Sequence, residues 1–187
     1  MKTSIITLVV VFLLSSTISA QTVSNETLKQ RIQSTGASKA ITVDFGTESN
    51  TTKVMAVSSN FAKDDVSRSG IKAMNFAIGF FYPGNTLAKT PDNYLFTFWV
   101  LTERPRFSED HSFNVTLPDE MLVIGTARYA AKPRENMEYL NFEISRENLT
   151  KIASRSDVKF LLGDFEFRFT REQMKLLGDL LVVTEVK

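Results

Sequence analysis

Apolar residues recur at every second position through most of the chain, which is the period of strands that bury one face. Ile41, Val43 and Phe45 alternate with Thr42 and Asp44, and Val54 with Ala56 marks a second run. Phe113, Val115 and Leu117 repeat the pattern before a Pro118-Asp119 turn, and Met121 to Tyr129 and Glu138 to Ile144 predict longer strands. Two stretches depart from simple alternation. Ile71 to Tyr82 sets Phe76, Ile78 and Phe80 on one parity and Ala77, Gly79 and Phe81 on the other, and Tyr94 to Leu101 does the same with Phe96 and Phe98 against Leu95 and Trp99. Strands apolar on both parities are expected at the centre of a sheet, covered from both sides. Pro83-Gly84-Asn85 terminates the first of them. Farther on, Val158, Phe160 and Leu162 alternate up to Gly163-Asp164, after which Phe165, Phe167 and Phe169 alternate with Glu166, Arg168 and Thr170. A Gly-Asp pair between two alternating runs predicts a tight hairpin, and the three phenylalanines read as its core face.

Helical spacing is confined to three places. From Ser24 to Ser34, Leu28 and Ile32 stand four apart behind Ser24 as a cap; the apolar stripe is thin and predicts a loosely docked arm. Ser145 caps a short helix that turns Leu149, Ile152 and Ala153 inward. Thr170 and Gln173 form a capping box for the last helix, whose inward face is Met174, Leu177, Leu180 and Leu181. Gly178 weakens that helix by about 1 kcal/mol relative to Ala. Its expected end is near Leu181, with Val182-Val183-Thr184 running outward. Asn60 to Gly70 is polar and charged and predicts a loop. With no repeat and no linker, residues 21–187 read as one α+β, β-rich domain. It would be an antiparallel sheet or sandwich of about nine short strands with two or three helices, closing on a C-terminal hairpin plus helix.

The first twenty residues follow another rule. Lys2 precedes the apolar run Ile5 to Leu14, which breaks into small residues ending at Ala20. This is the pattern of a secretory signal peptide cleaved after Ala20. The run is shorter than the roughly 20 residues that span a bilayer. The expected address is therefore periplasmic or extracellular, with no membrane span after signal removal. Composition sharpens the picture. An exported chain with no cysteine and 15 phenylalanines must cohere by packing instead of disulfides, and it offers neither thiol catalysis nor a cysteine-ligated metal. Lys2 is the only charged side chain before the cleavage point, so the formal net charge of +1 falls to zero. That balance disfavours a nucleic-acid partner.

Candidate chemistry is sparse. No Gly-x-Ser-x-Gly elbow, phosphate-cradling glycine loop or calcium-loop spacing occurs, and no cofactor or metal is expected. The single histidine, His111, follows Glu109 and Asp110, and adjacent residues point in different directions, which is poor chelating geometry. Asp64-Asp65 and Asp119-Glu120 read as solvated turns. A hydrolase would have to draw carboxylates from distant loops, with Asp64, Asp65, Glu109, Asp110 and His111 as its candidates. Two loops share a pattern, Arg104-Pro105-Arg106 and Lys132-Pro133-Arg134. If the strands from Tyr94 to Ile144 form an up-down meander, both loops fall at one end, joined by the Asn60 to Gly70 segment with Lys63 and Arg68. Arg104, Arg106, Lys132 and Arg134 would then form a basic rim able to bind an anionic group. Asn25, Asn50 and Asn148 head sequons that would be glycan acceptors in a eukaryotic secretory route, whereas the Asn114 sequon lies in a predicted strand. The resulting expectation is an exported, non-catalytic binding or interaction module for an unknown protein or a small anionic ligand. The alternatives are that hydrolase and a structural protein that self-associates through an exposed strand edge.

Overall fold

The computed structural model describes residues 21–37 and 39–187; the predicted signal peptide and the side chains of Asp64, Asp65 and Arg68 lie outside the described part. In chain order the elements are β1 (Val23–Ser24), α1 (Asn25–Thr35), β2 (Ile41–Gly46), β3 (Thr51–Val57), α2 (Lys63–Arg68), β4 (Ile71–Pro83) and β5 (Thr86–Leu87). Then come β6 (Asn93–Thr102), β7 (Ser112–Thr116), β8 (Met121–Thr126), β9 (Arg128–Lys132), β10 (Met137–Ser145), α3 (Arg146–Ala153), β11 (Lys159–Leu162), β12 (Phe165–Arg168) and α4 (Arg171–Val183). A 3-10 turn at Pro133–Glu135 joins β9 to β10. The α+β, β-rich reading holds, including the closing hairpin and helix. The expected nine strands correspond to these, with the two-residue pair β1 and β5 among the additions.

Two antiparallel sheets carry the core. One has six strands in the order β2-β3-β4-β6-β10-β9, the other four in the order β12-β11-β7-β8. Their facing sides are lined by the phenylalanines that alternation marked. Phe76, Phe96 and Phe98 come from the large sheet, and Phe113, Phe160 and Phe167 from the small one, all at 1% exposure or less. Phe98 stacks on Phe160 at 5.5 Å between ring centroids and meets Phe113 edge-on at 5.2 Å. Such offset and edge-to-face contacts add to the area that each ring removes from water. The hairpin between β11 and β12 turns through Gly163-Asp164, with Leu162 opposite Phe165. Gly163 takes φ +54° there, a conformation that costs glycine little.

Four expectations are corrected. Asn60 to Gly70 is not all loop: α2 forms within it, with Phe61 and Val66 buried in the core. The helix α1 is not a loose arm. Leu28 and Ile32 are buried, and the Asn25 amide bonds Thr52 and Tyr82 on the neighbouring strands. A thin stripe sufficed because the polar cap of the helix is also anchored. The last helix runs on to Val183, and Val183 and Thr184 are fully buried instead of running outward. Its last turn has no basic residue of its own. Arg31 and Arg146 supply the charge from elsewhere, donating to the carbonyls of Val183 (3.2 Å) and Leu181 (3.1 Å), where the helix dipole is negative. Finally, β4 and β6 are central but covered on one side only. Their inner residues are buried, while Leu95 is 43% and Phe81 57% exposed on the outer side.

Candidate functional site

The two basic loops do meet, by a route different from a single meander. β7 and β8 belong to the small sheet. β9 and β6 nevertheless both pair antiparallel with β10, so the ends of both point the same way. Thr102 N donates to Asn136 O at 2.9 Å, tying the segment after β6 to the turn before β10. The Asn60 to Gly70 segment joins them, since Ile71 pairs with Thr102 and the Arg106 guanidinium packs on Gly70, where a Cβ would displace it. Arg104, Arg106, Lys132 and Arg134 are all exposed. Lys132 pairs with Glu135 at 3.4 Å and lies 5.4 Å over the Tyr139 ring, and Lys72 pairs with Glu103 at 3.0 Å. The recess between the loops, lined by Arg104, Pro105, Pro133 and Asn136, is only about 60 Å³, and Glu138 forms part of its wall.

Glu138 is what organises this end. It is 1% exposed on the inward parity of β10, among Leu140, Phe142 and Ile144. Its carboxylate accepts from Arg106 N (2.9 Å) and Phe107 N (3.0 Å), from Thr102 Oγ1 (3.1 Å) and from Tyr129 Oη (2.9 Å). A buried carboxylate is tolerated when its lone pairs are filled in this way. Sequence reading passed it over, although an acid on an otherwise apolar parity was the available signal. The other side of the bond is Tyr129, whose phenol is pushed from 10 up to about 12 by burial and then by the hydrogen bond to and the charge of Glu138. Burial also raises Tyr82 and Tyr94. The unfolded chain therefore loses these phenolic protons first. Stability is whole below pH 10 and falls as pH rises through 10 toward 12. Urea midpoints measured from pH 8 to 12 should show this fall, with a smaller slope in Tyr129→Phe; equal slopes would contradict it.

Of the groups named for catalysis, Asp110 and His111 are held in local bonds. Asp110 accepts from Ser112 N at 2.8 Å, and this bond holds its carboxyl below the usual range. His111 bonds Phe107 O through Nδ1 at 3.1 Å and stacks on Tyr129. Glu109 is exposed, and Asp64 and Asp65 lie on α2 with side chains outside the described part. Asp119 and Glu120 pair with Arg155 and Lys151. Among the sequons, Asn25 is 9% exposed with its Nδ2 bonded to Thr52, leaving no free amide for a glycan in the folded chain. Asn50 is exposed in a turn at φ +47°, and Asn148 is half-buried in the first turn of α3.

Two openings lie at the opposite end. β4 and β6 pair only as far as Gly79 and Leu95. Beyond that point β4 continues along β3 to Pro83, while the chain loops through β5 before β6 begins. The divergence opens a cleft of about 600 Å³ lined by Phe80, Phe81, Tyr82, Leu87, Ala88 and Pro91. Lys89 and Asp92 also line it and neutralise each other at 2.6 Å. A second hollow of about 330 Å³ shares Phe80, Phe81 and Asn93 and reaches Arg128, Asn141 and Glu143. Phe81 stands between the two.

The outer face of the six-stranded sheet continues from Phe81. Cross-strand pairing sets Met55, Gly79, Leu95 and Glu143 in one row, Asn75, Trp99, Tyr139 and Ala130 in another, and Ala73, Leu101, Met137 and Lys132 in a third. Gly79 admits the closest approach, because a Cβ there would run into the Val54 carbonyl of β3. Compared with known proteins, the chain matches no family model, no curated protein and no solved structure.

Proposed function

We propose that this chain is an exported binding module that acts without catalysing a reaction, and that its ligand site is the cleft beside Phe81. The carrying observation is an aromatic side chain left 57% in water at the mouth of an apolar opening of about 600 Å³. That volume lies within the range of small-molecule sites, which are mostly apolar with a few polar groups at the margin. Because Lys89 and Asp92 cancel, the cleft suits a neutral ligand with one or two rings and not the anion expected on the basic loops. The signal-like first twenty residues support a periplasmic or extracellular setting for it.

The neutral dye N-phenyl-1-naphthylamine is a suitable probe. Its fluorescence should rise on saturable binding, with a dissociation constant on the order of 100 µM if each heavy atom contributes about 0.3 kcal/mol. Ala88→Glu places a charge in the cleft from an exposed position and should weaken binding at least tenfold. Dye binding that is absent, or indifferent to Ala88→Glu, would end this reading.

A further inference from the structure

We infer that the outer face of the six-stranded sheet is a self-association surface, occupied by a second copy of this chain packed sheet to sheet about a two-fold axis. This goes beyond ligand binding in the cleft, with which it shares Phe81.

The face is built unlike ordinary surface. Trp99, the only tryptophan of the chain, sits at its centre beside Tyr139 and Leu101; beyond the row of Thr97, Asn141 and Arg128, Leu95, Met55 and Phe81 lie toward the margin. Large aromatic and aliphatic residues gathered on one side of a sheet mark an interaction surface, whereas the same residues scattered singly would not. The inner side is already closed, with Phe96, Phe98, Val100 and Leu140 at zero exposure. The outer residues, on the same strands, stay partly in water.

Size and charge select the occupant. Six strands about 4.8 Å apart and some eight residues long give a footprint on the order of 700 Å². Stable complexes bury about 600 to 1,000 Å² per partner, a range that one such face laid on another reaches. A chain with a formal charge near zero offers no net repulsion between copies. The face carries both signs at each margin, Lys53 of β3 opposite Asp44 of β2, and Glu143 of β10 in one hollow with Arg128 of β9. A two-fold axis along the strands lays β4 of one copy over β6 of the other and β3 over β10. Register then brings Lys53 within one residue pair of Glu143 of the second copy. Lys53 pairs with Phe81 and Glu143 with Leu95, and Leu95 is one row from Phe81. Two such contacts form at once, as an isologous interface requires. Aligned sheets of this kind pack about 10 Å apart.

Sedimentation of the purified chain across concentration, read together with the emission of Trp99, tests the inference. For residues 21–187 the expected result is twice the single-chain mass at tens of micromolar, with Trp99 emission shifting red on dilution. Trp99→Lys should raise the dissociation constant at least a hundredfold while leaving the circular dichroism spectrum unchanged. Lys53→Glu should weaken association about tenfold, and adding Glu143→Lys should restore it. The two residues lie on β3 and β10, separated by two strands within one copy, so that rescue reports a contact between copies. A single-chain mass up to the millimolar range overturns the inference. So does a dimer that survives both Trp99→Lys and Lys53→Glu, and so does open-ended growth, which would mean pairing through the strand edges. Ala88→Glu blocks the cleft and should leave association unchanged, so failure of the dimer and failure of the ligand site are read separately.

Discussion

Phe98→Ala is expected to lower the unfolding free energy by about 4 kcal/mol. The ring is fully buried and within 6.3 Å, centroid to centroid, of Phe61, Phe76, Phe96, Phe113, Phe142 and Phe160. Truncation removes the transfer free energy of the ring and leaves a void between two sheets whose backbones are fixed by their own ladders. Large-to-small changes of this type cost about 3 to 5 kcal/mol when the site cannot collapse. Against a total stability of about 5 to 15 kcal/mol, that loss is severe for a chain with no disulfide to limit its unfolded state. Urea unfolding gives the number. Phe98→Leu, which keeps much of the volume, should lose less than half as much. A loss under 1 kcal/mol in Phe98→Ala would mean that the two sheets are not held by this cluster.

The same residues explain why the fold was legible and the site was not. Alternation in Phe113 to Leu117 and Val158 to Phe169 is a local signal, and it marked strands correctly because one face of each must leave water; Ile41 to Phe45 also forms a strand, although Phe45 stays 41% exposed. The Gly163-Asp164 turn and the Thr170 capping box are local as well, and both form. What covers a face is not local. Leu95 and Trp99 read as core because they are apolar, and nothing in the sequence says that helices and small sheet all lie on the other side. The last helix likewise exceeded its predicted end because Arg31 and Arg146, distant in sequence, meet its final carbonyls. The cleft beside Phe81 arises from where β4 and β6 stop pairing, a fact of register that no residue pattern announces.

Glu138→Leu should cost about 3 to 5 kcal/mol, for a reason opposite to that for Phe98. No cavity is made; instead four donors lose one acceptor. Bonds to a charged group are each worth about 1.5 to 3 kcal/mol, and a buried N–H left without a partner costs about as much. Arg106 N and Phe107 N are the most exposed to this loss, because the segment between β6 and β7 has no ladder of its own to hold them. The predicted damage is therefore local before it is global. Hydrogen exchange at Arg106 and Phe107 should accelerate by at least a hundredfold in Glu138→Leu, while amides of β4 and β6 change only as far as global stability falls. A double-mutant cycle isolates the clamp from packing. Tyr129→Phe alone removes one donor to a charged acceptor and should cost about 1.5 to 3 kcal/mol. In the Glu138→Leu background the same change should cost nothing, since the phenol has already lost its acceptor. Equal costs in the two backgrounds would show that Tyr129 Oη and Glu138 are not coupled.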